Sequence, residues 1–212
     1  MHTLIVTGVA AAAAASAPPA GTSLLVNVFT DNGWAIGLVR ADETSFRYVL
    51  EPGPDRHSWW GAVFAPDGAS SYCEDLEEIA RFSLEGKKLW SAPIATMFPG
   101  GGLNSGARRS PSPDGTALLV DADMDEDTTV KEWDGPPPSV FRIDLATGTA
   151  TRVTPKGALV WEPQWLDASS FLATTLGPND KEPSIVRVPL AAGPPVVVVK
   201  DARTASVAAS AR

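Results

Sequence analysis

Apolar residues recur at every second position in three separate segments: Ala80, Phe82, Leu84; Phe141, Ile143, Leu145; and Val186, Val188, Leu190. Period two is what a pleated strand with one buried face requires, so each segment predicts a strand. A shorter apolar run precedes each: Ser71-Tyr72-Cys73, Ala117-Leu118-Leu119-Val120 and Phe171-Leu172-Ala173-Thr174. Each alternating strand runs into a turn with glycine, at Glu85-Gly86, Ala146-Thr147-Gly148 and Ala191-Ala192-Gly193. A further strand follows, as at Thr151-Arg152-Val153-Thr154 and Val196 to Val199. Strand, loop, strand, glycine turn, strand is the layout of an antiparallel hairpin meander.

The layout repeats. Phe64-Ala65-Pro66-Asp67-Gly68 opens one copy, Pro111-Ser112-Pro113-Asp114-Gly115 a second, and the weaker Gln164-Trp165-Leu166-Asp167-Ala168 a third. Ala65 and Ser112 are 47 residues apart, and Ser112 and Trp165 are 53 apart, near the roughly 40–50 residues of a four-stranded propeller blade. Aspartate caps its own turn and glycine accepts positive φ, so Asp67-Gly68 and Asp114-Gly115 read as turn formers and not as binding residues. A copy lacking its first strand comes earlier, with strands at Leu24 to Phe29, Trp34 to Ala41 and Phe46 to Leu50; Ser58 to Phe64 then opens the next. The expected organisation is all-β: a β-propeller of about four four-stranded antiparallel blades, partial or open, spanning residues 21–200. Its units fall near 22–57, 58–106, 107–157 and 158–200, with a C-terminal tail at 201–212. A β-sandwich with evenly spaced turns is the alternative.

One unit carries a resemblance. Ser112-Pro113-Asp114-Gly115, an apolar strand, Val140-Phe141-Arg142-Ile143-Asp144-Leu145, Thr147-Gly148 and Arg152-Val153-Thr154 resemble a repeat of the TolB-like propeller family. That repeat typically has a Ser-Pro-Asp-Gly turn, a strand ending in Asp-Leu and a closing Leu-Thr. The resemblance extends over roughly residues 22–200 and is tightest at 112–165. It implies a propeller with a protein partner. Propellers close with about 4–8 blades, so barely four leave a fragment, a minimal ring or an open array.

Composition narrows the functions. The net charge of −8 and pI of about 4.7 disfavour nucleic-acid binding through a basic patch, since Arg108-Arg109 is the only notable basic pair. A single cysteine, Cys73, allows no intrachain disulfide, and Glu74 and Asp75 beside it would raise its pKa, against a nucleophilic role. The N-terminus has Leu4-Ile5-Val6, an alanine run and Ser16-Ala17-Pro18-Pro19-Ala20. A short apolar stretch ending in small residues reads as a signal peptide over residues 1–20. The mature chain is then periplasmic or secreted, with no transmembrane segment.

The sharpest candidate chemistry lies between two expected strands. Asp121, Asp123, Asp125, Asp127, Thr129 and Glu132 place oxygens at relative positions 1, 3, 5, 7, 9 and 12 of a calcium loop, yet Glu126 stands where that loop needs glycine. The metal expectation is therefore Ca2+ on Asp121, Asp123, Asp125, Asp127 and Glu132, against a plain solvated acidic loop; no cofactor is required. Trp161 and Trp165 are expected in the core, Trp59 and Trp60 are open between core and surface, and Trp133 belongs to the same aromatic group near the strand starts and loops. His57 has no triad context, and there is no Gly-x-Ser-x-Gly elbow. Carboxylates at Asp55, Glu74, Asp75, Glu77, Glu78 and Glu162 leave glycosidase chemistry open. The expected function is a non-enzymatic exported scaffold or binding module working through its loops on a protein or a carbohydrate. A propeller hydrolase of glycans or peptides, or an incomplete part of a larger propeller, is the alternative.

Overall fold

The computed structural model describes residues 23–40, 45–53, 58–103, 107–131, 133–191 and 193–205. The expected signal peptide, Asp55, His57 and Glu132 lie outside them. The described chain is all-β apart from one four-residue helical turn, and its strands form four antiparallel sheets in two compact units.

The first unit holds two sheets. One is a three-stranded meander of β1 (Ser23–Thr30), β2 (Gly33–Arg40) and β3 (Phe46–Leu50). Its three strands lie where the incomplete copy of the repeat predicts them, with the expected end at Ala41 outside the described residues. The other has the order β4 (Trp60–Phe64), β5 (Ser70–Glu74), β6 (Glu78–Ser83), β7 (Lys88–Pro93). Their shared core contains Ile36, Leu38, Val49, Leu50, Trp59, Cys73, Ala80 and Phe82. Trp59 meets Phe82 edge to face at 4.7 Å between centroids, so this tryptophan is core. Cys73 is fully buried in the same cluster. Trp60 instead turns its indole N–H to Glu74 Oε1 at 2.8 Å.

The second unit contains the helical turn α1 (Ile94–Met97) and two further sheets. The five-stranded sheet contains β8 (Gly101–Gly102), β9 (Arg109–Pro111), β10 (Ala117–Met124), β11 (Pro138–Asp144) and β12 (Ala150–Arg152). It runs β12-β11-β10, and the short β8 and β9 share the far edge of β10. The last sheet is β13 (Leu159–Asp167), β14 (Ser170–Leu176), β15 (Ser184–Pro189) and β16 (Val196–Val199) in sequence order. Ala117, Leu119, Val140, Val160, Trp165, Phe171, Ala173, Val186 and Val188 form the core of this unit. Full burial of a side chain such as Phe171 contributes roughly 1.5–3 kcal/mol. In β10 every residue from Ala117 to Ala122 is buried. A strand covered on both faces reads as a continuous apolar run and does not alternate.

The repeated motif has a physical cause. In the turn before β10, Asp114 Oδ1 accepts hydrogen bonds from Ser112 Oγ (2.6 Å), Thr116 N (3.0 Å) and Thr116 Oγ1 (2.9 Å). These bonds hold its carboxyl down at about 2. Gly115 has φ of 72°, a left-handed conformation that glycine accepts without Cβ strain. Asp167 performs the same task in the last sheet, accepting from Ser169 N (2.8 Å) and Ser169 Oγ (2.7 Å). Asp144 at the end of β11 accepts from Ala146 N and Thr147 N, both at 3.0 Å. Asp114 and Asp167 are thus consumed by turns.

Candidate functional site

β10 carries Asp121 and Asp123 two residues apart, hence on one face. That face borders a cleft of about 300 Å³ lined by both aspartates, Trp133, Asp134, Gly135, Pro136, Pro138, Trp161 and Glu162. Trp133 belongs to the segment that follows β10, and its indole N–H donates to Pro136 O at 3.2 Å. Trp161 comes from β13. The two rings are tilted by 36° with centroids 5.9 Å apart. The core position expected for Trp161 is thereby corrected: it is half-buried against Trp133 at the cleft, whereas Trp165 is buried in the core as expected.

Glu162 reaches the cleft through a backbone irregularity. The β13–β14 register shifts between Trp161 and Gln164, and Glu162 has φ of 55°. Positive φ costs a non-glycine residue on the order of 1–2 kcal/mol, and a bulge re-aims the side chain it carries. Pro163, lacking an N–H, cannot donate to the ladder and suits such an interruption. The Glu162 carboxylate is anchored: Oε2 accepts from Thr204 Oγ1 (2.9 Å) and Thr174 Oγ1 (3.1 Å), and Arg108 Nε lies 3.8 Å from Oε1.

Asp121 is only 3% exposed. Burial pushes its carboxyl up to about 6, against the opposing backbone N–H donors of Arg108 and Glu162 and the charge of Arg109. The Arg108 N–H donates to Oδ1 at 2.8 Å. An acid with such a value can lose or take a proton near neutrality, the property general acids and bases share.

The acidic run does not converge on one point. Asp121 is buried in mid-strand, Asp123 pairs with Gly102 and Pro138 across the sheet, and Asp125 and Asp127 are exposed. Among the described residues no three His, Cys, Asp or Glu side chains form a group able to hold a metal ion. Glu126 turns to Arg152 and accepts two guanidinium hydrogen bonds, one of 2.9 Å from Nη1 to Oε2. That contact and the Gly157 N–H hold its carboxyl at about 2. The described carboxylates thus do not fit a closed calcium cage.

Sequence reasoning named Asp121, Asp123, Glu162, Trp133 and Trp161, but as members of separate features. It missed Asp134 and the convergence itself. Pro163 inside a strand was the available signal for the bulge.

The sheets have the fold of TolB-like propeller structures. TolB from Acinetobacter baumannii is similar at 18% identity over 85% of this chain and 42% of that one, with a TM-score of 0.62. An oligogalacturonate lyase in complex with manganese is similar at 16% identity over 84% and 49%, with a TM-score of 0.61. A putative TolB from Agrobacterium tumefaciens is similar at 14% identity over 84% and 61%, with a TM-score of 0.56. At these identities the likeness concerns the fold alone, and the chain spans 42% to 61% of those structures. No protein-family model matches the chain, and no curated protein matches it. Among the described residues no helix is long and apolar enough to cross a membrane.

Proposed function

We propose that this chain is a non-enzymatic exported binding module, periplasmic or secreted, whose four sheets are blades of a partial or open TolB-like propeller. It holds a protein partner at the Trp133–Trp161 cleft. The observation that supports the reading is the paired tryptophans beside carboxylates carried on packed strands. Tryptophan brings large contact area at small entropy cost and dominates binding hot spots. Strands fix the residues and the connecting segments present them. Calcium at the 121–132 run is the one cofactor that this reading admits.

The test is affinity capture by residues 21–212 from envelope and culture-supernatant extracts, with calcium and with chelator. A protein recovered specifically, and lost with Trp133→Ala, supports the module. Nothing recovered by a folded sample removes the protein partner.

A second reading is glycan cleavage, favoured by Asp121, Asp123, Asp134 and Glu162 lining one cleft. Glycosidic cleavage needs one carboxyl as acid and another as base or nucleophile. Release of reducing ends from a polysaccharide panel, abolished by Asp121→Asn, supports it; no turnover by the folded protein removes it.

A further inference from the structure

We propose that the Trp133–Trp161 cleft is a guanidinium site that seats an arginine side chain of the partner. The proposal rests on the reading of the chain as a protein-binding module and names the group that the cleft selects.

Size comes first. At about 300 Å³ the cleft is at the lower end of the roughly 300–1,000 Å³ of ligand pockets. One long side chain matches that space better than an extended oligosaccharide. The lining decides the chemistry. Trp133 and Trp161 are both among the residues that line the cleft, and tryptophan is the aromatic side chain that best attracts a cation to its face. Around them stand Asp121, Asp123, Asp134 and Glu162, with Arg108 Nε 3.8 Å from Glu162 Oε1 and the charge of Arg109 acting on Asp121. A cation answers both the rings and the carboxylates.

Arginine suits the arrangement better than lysine. Its guanidinium is planar, stacks on aromatic faces, forks onto carboxylates and is more weakly hydrated than an ammonium group. The chain already contains such an arrangement elsewhere: Arg152 lies over the Phe141 ring, 6.0 Å from its centroid, while it donates to Glu126. The cleft offers the ring and carboxylate halves of this combination on a larger scale, with Trp133 and Trp161 for the ring and Asp123 and Asp134 for the carboxylates.

The test uses the full chain and three small probes: acetyl-arginine amide, its neutral isostere acetyl-citrulline amide, and acetyl-lysine amide. Indole N–H signals are followed by NMR, with those of Trp133 and Trp161 assigned from single Phe replacements. The expected result is a saturable arginine-induced shift of those two signals. Citrulline should bind about tenfold more weakly, as a cation–π and charge contribution of that size implies. Asp134→Asn, at an exposed position, should weaken arginine several-fold while leaving the melting curve in place. Equal binding of arginine and citrulline, lysine binding more tightly than arginine, or a neutral trisaccharide moving the same signals overturns the proposal. Captured partner that still depends on Trp133, without arginine binding, overturns the guanidinium site and leaves the protein-binding reading standing. Arginine binding without any captured partner supports the site and removes that reading alone.

Discussion

Glu126 accepts two hydrogen bonds from the guanidinium of Arg152, 26 residues further along the chain. The same guanidinium donates to Ser139 Oγ, and Glu126 Oε1 also accepts the Gly157 N–H at 3.0 Å. The residue that breaks the calcium-loop pattern is therefore a structural clamp between the acidic segment, β11 and the turn after β12. Its position ties the middle of the acidic segment to the sheet.

Glu126→Gln should destabilise the protein by about 2 kcal/mol, the scale of hydrogen bonds to a charged group. Because the folded carboxyl sits at about 2 and its ordinary value is 4.5, its contribution is complete above pH 4.5 and is lost as pH falls towards 2. Urea unfolding of parent and variant at pH 7 and at pH 3 checks this, and the gap should narrow at the lower pH.

Asp121 behaves with the opposite sign. Its folded value of about 6 lies above the ordinary 3.8, so the stability it confers is fully present below pH 3.8 and is lost as pH rises through 6. The size is about 2–3 kcal/mol. Asp121→Asn should therefore gain on the parent progressively between pH 4 and pH 6.5. A parent-minus-variant difference in unfolding free energy that stays flat over that range would contradict the assigned burial.

At Glu162 the carboxylate contacts and the backbone strain can be separated. Glu162→Ala loses the bonds from Thr174 and Thr204 and keeps the φ of 55°. Glu162→Gly loses the same bonds and relieves the backbone. The glycine variant should be the more stable of the two by about 1 kcal/mol, read as the difference between their denaturant midpoints.

Calcium has a direct test. With Glu126 tied to Arg152 and Asp121 buried, millimolar calcium should raise the melting temperature by no more than about 1 °C over chelator. Each kcal/mol of binding would shift it by about 2–4 °C at this chain length. A larger rise that disappears in Asp125→Asn with Asp127→Asn would restore the loop as a metal site.

The strand order and the turns were legible in the sequence because their causes are local. Alternation at Phe141, Ile143 and Leu145 follows from the pleat, and Asp114-Gly115 makes its turn with atoms no more than a few residues away. Even the short first sheet was visible as a copy missing a strand. The valines of β16, by contrast, are an apolar strand in the sequence yet about half exposed, Val196 at 60%, since the hydrophobicity of a strand does not say which element covers it.

The cleft was decided by tertiary structure. Trp133 and Trp161 lie 28 residues apart, and only the packing of β10 beside β13 brings their rings together. Asp121 reads as one carboxylate in an acidic run, yet its altered acidity comes from the sheet that buries it. Charge and apolar pattern are properties of the chain, whereas desolvation and convergence depend on which strands become neighbours. The sequence by itself determined the sheets and their turns; the tertiary fold decided which carboxylates and which rings face one another.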